Sequence, residues 1–160
     1  MKKGILTLVA AGFISFMISG CIMNTGAKVY DNDEIIAEEY NSYNLYKSSQ
    51  YIEGNCLTGS AEKLEGMGMV WIFDAPEEVD VNMEGKVTVS SGKAKLVMIA
   101  PDDTLTVLRE YTGDSKEPHE FTDTFRVERG RNRIKLIGAK DTRIEYEISI
   151  DQGEMKTFGD

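Results

Sequence analysis

The 160-residue chain carries 27 acidic against 18 basic side chains, a net charge of −9. That length supports one domain with its own core, and that sign excludes a surface holding nucleic acid by charge. One histidine and two cysteines are too few for the usual zinc ligand sets, and no cofactor-binding motif stands out.

In chain order, Lys2 and Lys3 precede an apolar run from Ile5 to Ile18, interrupted only by Thr7, Gly12 and Ser15. A spanning helix needs roughly 20 apolar residues, whereas an export signal uses an apolar stretch of about 7–15. The run ends in Ile18-Ser19-Gly20-Cys21, which resembles the lipobox of bacterial lipoproteins. That resemblance implies removal of residues 1–20 as a signal peptide and a diacylglyceryl anchor on the Cys21 sulfur. Residues 21–30 then form a lipidated tether, and the protein sits on the extracytoplasmic face of the cell membrane. Ile22, not Asp, follows the cysteine, which in a Gram-negative envelope implies the outer membrane. Two acyl chains, at about 0.8 kcal/mol per buried CH₂, make release slow. Residues 1–20 hold two lysines and no acid, so a chain cut before Cys21 keeps 16 basic against 27 acidic side chains, a charge of −11. Anionic headgroups repel such a body, so lipid must hold it. With Cys21 acylated, Cys56 has no disulfide partner, and it is expected as a small buried apolar residue in a strand.

Residues 31–49 form a Tyr-rich lead-in. Asp31 as N-cap with Glu34 three residues on, and Ile36, Tyr40 and Tyr43 at helical spacing, predict one short helix over 31–46. From residue 50 the pattern becomes β, with short β-branched and aromatic runs between turn residues. Strands are predicted near 50–57, 67–73, 78–90, 94–100, 104–111, 119–128, 131–137 and 142–150. Their spacing predicts an all-β fold, an antiparallel β-sandwich of about eight strands over 50–151, with 152–160 as a C-terminal tail.

The last three strands can be set in register as two hairpins, turning at Arg129-Gly130 and around Ala139-Lys140-Asp141. Phe125 then faces Ile134, Asp123 faces Leu136, Ile134 faces Tyr146 and Leu136 faces Ile144. On the other side Arg133 faces Glu147 and Lys135 faces Glu145. The segment Gly130 to Leu136 is similar to the closing strands of small extracellular jelly-roll and immunoglobulin-like modules, which again implies a sandwich. Strands 67–73 and 96–99 are apolar on both faces and need cover on both. The Tyr-rich segment is the natural cover.

Catalytic patterns are weak. His119 follows Glu117-Pro118 and reads as an exposed loop residue, leaving no base for a nucleophilic triad. Ser60–Lys63 and Ser90–Lys93 match Ser-x-x-Lys without the accompanying elements of penicillin-recognising enzymes. Asp31-Asn32-Asp33-Glu34 lacks the order of a calcium loop, and Pro101-Asp102-Asp103-Thr104 is turn chemistry. Gly66-Met67-Gly68 has no third glycine or following helix to complete a nucleotide loop. No metal site is expected.

Two segments offer a binding surface. Five of the seven tyrosines fall within residues 30–51; of these Tyr40, Tyr43 and Tyr46 either stack on a ligand or pack the lead-in onto the sheet. Residues 126–143 hold seven basic and two acidic side chains. There Arg126, Arg131, Arg133 and Lys135 are expected on one exposed face, either gripping an acidic polymer or forming a cross-strand ion ladder. The expected function is a lipid-anchored, non-enzymatic β-sandwich binding a surface glycan, peptide or protein. The alternatives are an envelope hydrolase with paired carboxylates and an accessory subunit of a membrane transport or secretion complex.

Overall fold

A computed structural model describes residues 28–113 and 116–160. Cys21 and the lipobox lie outside the described residues. One short helix, α1 (Asp33–Ala37), precedes eight strands among the described residues. They are β1 (Ser42–Glu53), β2 (Cys56–Ala75), β3 (Val79–Ser91), β4 (Lys93–Ile99), β5 (Leu105–Thr112), β6 (His119–Val127), β7 (Gly130–Ile150) and β8 (Glu154–Met155).

The fold is all-β and antiparallel, built on two very long strands. β2 and β7 pair along nearly their whole length, with register shifts near Ala61–Gly66 and Met69–Trp71. Such bulges bend a strand and raise its twist. Gly66 opposes Gly138 at the bend. Gly66 has φ +106, and a Cβ there would sit 2.1 Å from the Ser42 carbonyl oxygen, while a Cβ on Gly138 would meet Leu64 at 2.5 Å. Only glycine lets both chains cross here.

The bend divides the sheet into two halves. Half A joins β1, the first part of β2, the second part of β7, β3 and β6; half B joins the second part of β2, the first part of β7, β4 and β5. Inward residues of half A (Leu57, Val87, Ile144, Ile148) and of half B (Trp71, Leu96, Ile134, Leu136) share one core. Trp71 is fully buried, stacks edge-on with Phe125 at 5.8 Å and donates its indole N–H to the Gln152 carbonyl at 2.7 Å. A buried indole needs such an acceptor. Residues 152–160 are therefore part of the domain rather than a tail. β8 pairs with β2, Phe158 is buried, and its N–H donates to Gln50 at 3.0 Å.

Several sequence expectations are corrected. The helix is only one turn and a half, and Asn32, not Asp31, caps it by accepting from the Ile35 N–H at 3.1 Å. The second half of the lead-in is strand: β1 starts at Ser42, where its three tyrosines suit a sheet edge. Residues 131–137 and 142–150 are one strand, not a hairpin, because the chain bends at Gly138 without reversing. Ile134 consequently faces Trp71 and Met98, Leu136 faces Gly68 and Leu96, and Tyr146 faces Gly59 and Val87. Phe125 faces Val81, since β6 pairs with β3. Asp123 lies on the edge strand β6 and takes the Arg109 Nε–H at 2.6 Å. Cys56 is partly buried, on the outer face of half A at the start of β2 rather than in the core.

Candidate functional site

The two halves present outer faces of opposite character. On half A the outward residues form continuous rungs across the strands. One runs Tyr51, Thr58, Glu147, Lys86, Glu120 across β1, β2, β7, β3 and β6; the next runs Ser49, Ser60, Glu145, Thr88; a third runs Glu53, Cys56, Ser149, Glu84, Thr122. Five strands at about 4.8 Å spacing make a face roughly 19 Å wide. Three adjoining hollows of about 370, 480 and 230 Å³ follow it, sharing Lys86 and Glu147, then Glu84, Thr122 and Ser149. Few of these side chains are tied down. Lys86 meets Glu147 at 3.0 Å, which raises the lysine pKa, and Ser49 and Ser60 share a 3.1 Å hydrogen bond. Tyr51, 58% exposed, ends the first rung with a ring free to stack. Beneath the face the buried Tyr146 hydroxyl, pushed up to about 12 by burial, accepts from Gln50 Nε2 at 2.6 Å.

The outer face of half B is covered. Residues 28–40 run over it as a strap: Val29, Tyr30 and Ile36 pack on Met67, Val97, Ile99 and Ile137. This is the cover that the doubly apolar strands require. Tyr30 donates to Glu110 Oε1 at 2.8 Å, and its buried phenol is shifted well above the ordinary tyrosine range. Lys95 lies 4.8 Å above the same ring.

The strap explains where the predicted cationic residues fall. Lys135 is fully buried. Its ammonium donates to the carbonyls of Glu38 and Tyr40, the latter at 2.9 Å, and so pins the C-terminal end of the strap. Burial, with the charge of Arg133 beside it, pushes its pKa down to about 8 against the opposing carboxylates of Glu38 and Glu39. Arg133 is 4% exposed and donates from Nη2 to Asp103 at 2.6 Å. Glu39 stands 3.8 Å from its Nη1. Neither residue meets Glu145 or Glu147, and the expected exposed basic face does not exist. The alternation of cations along β7 reads as a solvent face, but the strap turns it into an interior. Arg131 alone stays exposed beside them. Arg126 is distant in the sheet, on β6, paired with Glu78 and with Asp80 at 3.0 Å, which raises its pKa.

The predicted tyrosines do not converge. Tyr40 ends the strap, within 5.9 Å of the Lys135 ammonium; Tyr43 packs on Phe158 at 5.1 Å; Tyr46 is 53% exposed with Lys47 over its ring. The polar face of half A does not show when residues are read singly. Its signal, Ser, Thr and Glu alternating with buried residues on β2, β3 and β7, is spread over strands far apart in sequence. His119 is exposed, 5.9 Å from Tyr111. Among the described residues, no group of acidic, histidine or cysteine side chains is placed to hold a metal ion.

Comparison with protein-family models returns no match, and comparison with curated proteins returns none. Among solved structures, the chain is similar to a carbohydrate-binding module of Cellvibrio mixtus lichenase 5A in complex with cellotriose. That likeness has a TM-score of 0.38 and 11% identity, covering 74% of this chain and 95% of that one. It is also similar to the C-terminal carbohydrate-binding module of a Zobellia galactanivorans laminarinase (TM-score 0.36, 16% identity, 71% and 94% covered). A third likeness is to the pre-peptidase C-terminal domain of a Bacillus anthracis collagenase (TM-score 0.36, 11% identity, 70% and 90% covered). What this chain binds is read from its own residues.

Proposed function

We propose that the protein is a lipid-anchored, extracytoplasmic, non-catalytic module whose open half-A face binds an uncharged glycan at the cell surface. The observation that carries this reading is the rung Tyr51, Thr58, Glu147, Lys86, Glu120 with its polar neighbours. Hydroxyls and carboxylates in register offer donors and acceptors to sugar hydroxyls, and Tyr51 offers a ring for stacking. The face carries Glu53, Glu84, Glu120, Glu145 and Glu147 against Lys86, so an acidic polymer is repelled and a neutral one is not. The carboxylates lie on an open sheet face rather than in a closed cleft that excludes water, which favours binding over hydrolysis.

The lipobox resemblance supports the membrane address. Lys28 follows Cys21 by seven positions, at most about 25 Å of extended chain.

The test is retention of the detergent-solubilised lipidated protein on immobilised neutral polysaccharides. Saturable retention that falls at least tenfold in Tyr51→Ala and in Glu147→Gln supports the reading. Equal retention of both variants removes the half-A face from it, and release of new reducing ends during incubation replaces binding with hydrolysis. The anchor is tested separately: Cys21→Ala loses label from an alkyne fatty acid, and labelling that persists overturns the lipid assignment.

A further inference from the structure

A cavity of about 410 Å³ opens between the strap, the β4–β5 turn and the start of β7, lined by Glu34, Glu38, Glu39, Asp103, Arg131 and Arg133, with Ala37 and Pro101. It belongs to half B, opposite the proposed glycan face, and is within the size range of small-molecule sites. Arg133 is the unusual member. Its side chain is 5% exposed, and its Nε and Nη1 have no hydrogen-bond acceptor. Buried donors are nearly always paired, and an orphaned guanidinium N–H is costly. Glu39 Oε1 stands 3.8 Å from Nη1, beyond hydrogen-bond distance, and its side chain is 78% exposed. Glu39 therefore covers the guanidinium without bonding it.

The charges around this cavity select among ligands. A lone anion would meet two guanidinium groups but also four carboxylates. A lone cation would meet the carboxylates but also Arg131 and Arg133, with Lys135 behind them. A molecule with both charges answers both sets. We infer that this cavity binds a small zwitterion, an amino acid or dipeptide, with its carboxylate on Arg133 and Arg131 and its ammonium among Glu34, Glu38 and Glu39. The ligand carboxylate displaces Glu39 from Nη1, makes the hydrogen bond that Glu39 does not, and frees Glu39 to face the ammonium. Asp103 stays on Nη2 and keeps the guanidinium plane fixed.

The inference does not depend on the glycan reading. Calorimetric titration of the full-length protein with glycine, L-alanine, D-alanine and glycylglycine tests it, with N-acetylglycine and glycinamide as one-charge controls. At least one zwitterion should bind saturably and at least tenfold more tightly than either control. Arg131→Gln, at an exposed site, should weaken that binding at least tenfold without moving the melting temperature, and Tyr51→Ala should leave it unchanged. Arg133→Gln is a weaker test, because a buried cation supports the fold. No saturable heat from any of the four zwitterions up to 10 mM, on the order of the weakest specific affinities, overturns the inference. So does N-acetylglycine binding as tightly as glycine, or Arg131→Gln binding as tightly as the unaltered protein.

Discussion

The outer faces of the two half-sheets are woven from the same two long strands, β2 and β7, yet one is bare and the other is roofed. On half A the outward positions of β7 include Glu145, Glu147 and Ser149; on half B they include Arg133, Lys135 and Ile137. The strap makes the difference. Where residues 28–40 cover the sheet, apolar side chains have something to pack on, and the cations among them must find acceptors from the strap itself. Where nothing covers the sheet, the outward positions are free to be polar and loosely paired, which leaves their hydrogen-bonding capacity for a ligand. One face is packed beneath the strap, and the other is polar and open.

Substitutions at the bend shared by both faces should act most strongly. Gly66→Ala puts a Cβ 2.1 Å from a backbone oxygen at positive φ. A loss of about 3 kcal/mol or more is expected, measured as a shifted urea midpoint. A midpoint unmoved by this change would show that the bend is not constrained as described.

Next comes the roof. Lys135→Met keeps bulk but leaves the carbonyls of Glu38 and Tyr40 without their donor, and about 2 kcal/mol should be lost. Hydrogen exchange should show residues 29–40 opening ahead of the sheet. If instead the whole domain loosens uniformly, the strap is not a separate unit.

The buried lysine also gives the roofed face a pH signature. Its folded pKa of about 8 lies below the ordinary lysine value of about 10.4. Between those values the unfolded chain holds a proton that the folded chain has released, so stability rises with pH across that window. Relative to Lys135→Met, the native protein should gain on the order of 2 kcal/mol between pH 8 and 10. Above pH 10 the raised tyrosines Tyr30, Tyr111 and Tyr146 act with the opposite sign, so the comparison belongs below it. A flat difference between the two proteins would contradict the assignment.

The smallest effect on stability belongs to the bare face. Tyr51→Ala and Glu147→Gln should each leave the melting temperature within about 2 °C, although both are expected to lower glycan retention. A large drop would mean that these residues hold the sheet together.

How far this was legible in the sequence follows the same division. The strand-rich antiparallel character could be read from alternation and turn spacing, and the need for a roof from strands apolar on both sides. Register could not. Both long strands serve two half-sheets, and Asp141 at φ 58 beside Gly138 looks like a reversal when it is a bend. The Arg133 and Lys135 pattern reads equally as solvent face or as interior until the strap is in place. The rungs of half A join residues up to about 90 positions apart, a distance at which no local pattern reports.

Hydrogen exchange of the full-length protein with and without a saturating neutral polysaccharide tests the central claim most directly. The account predicts added protection at residues 56–60, 84–88 and 145–149, with residues 29–40 unchanged. Protection confined to the strap, or none on half A, would contradict it.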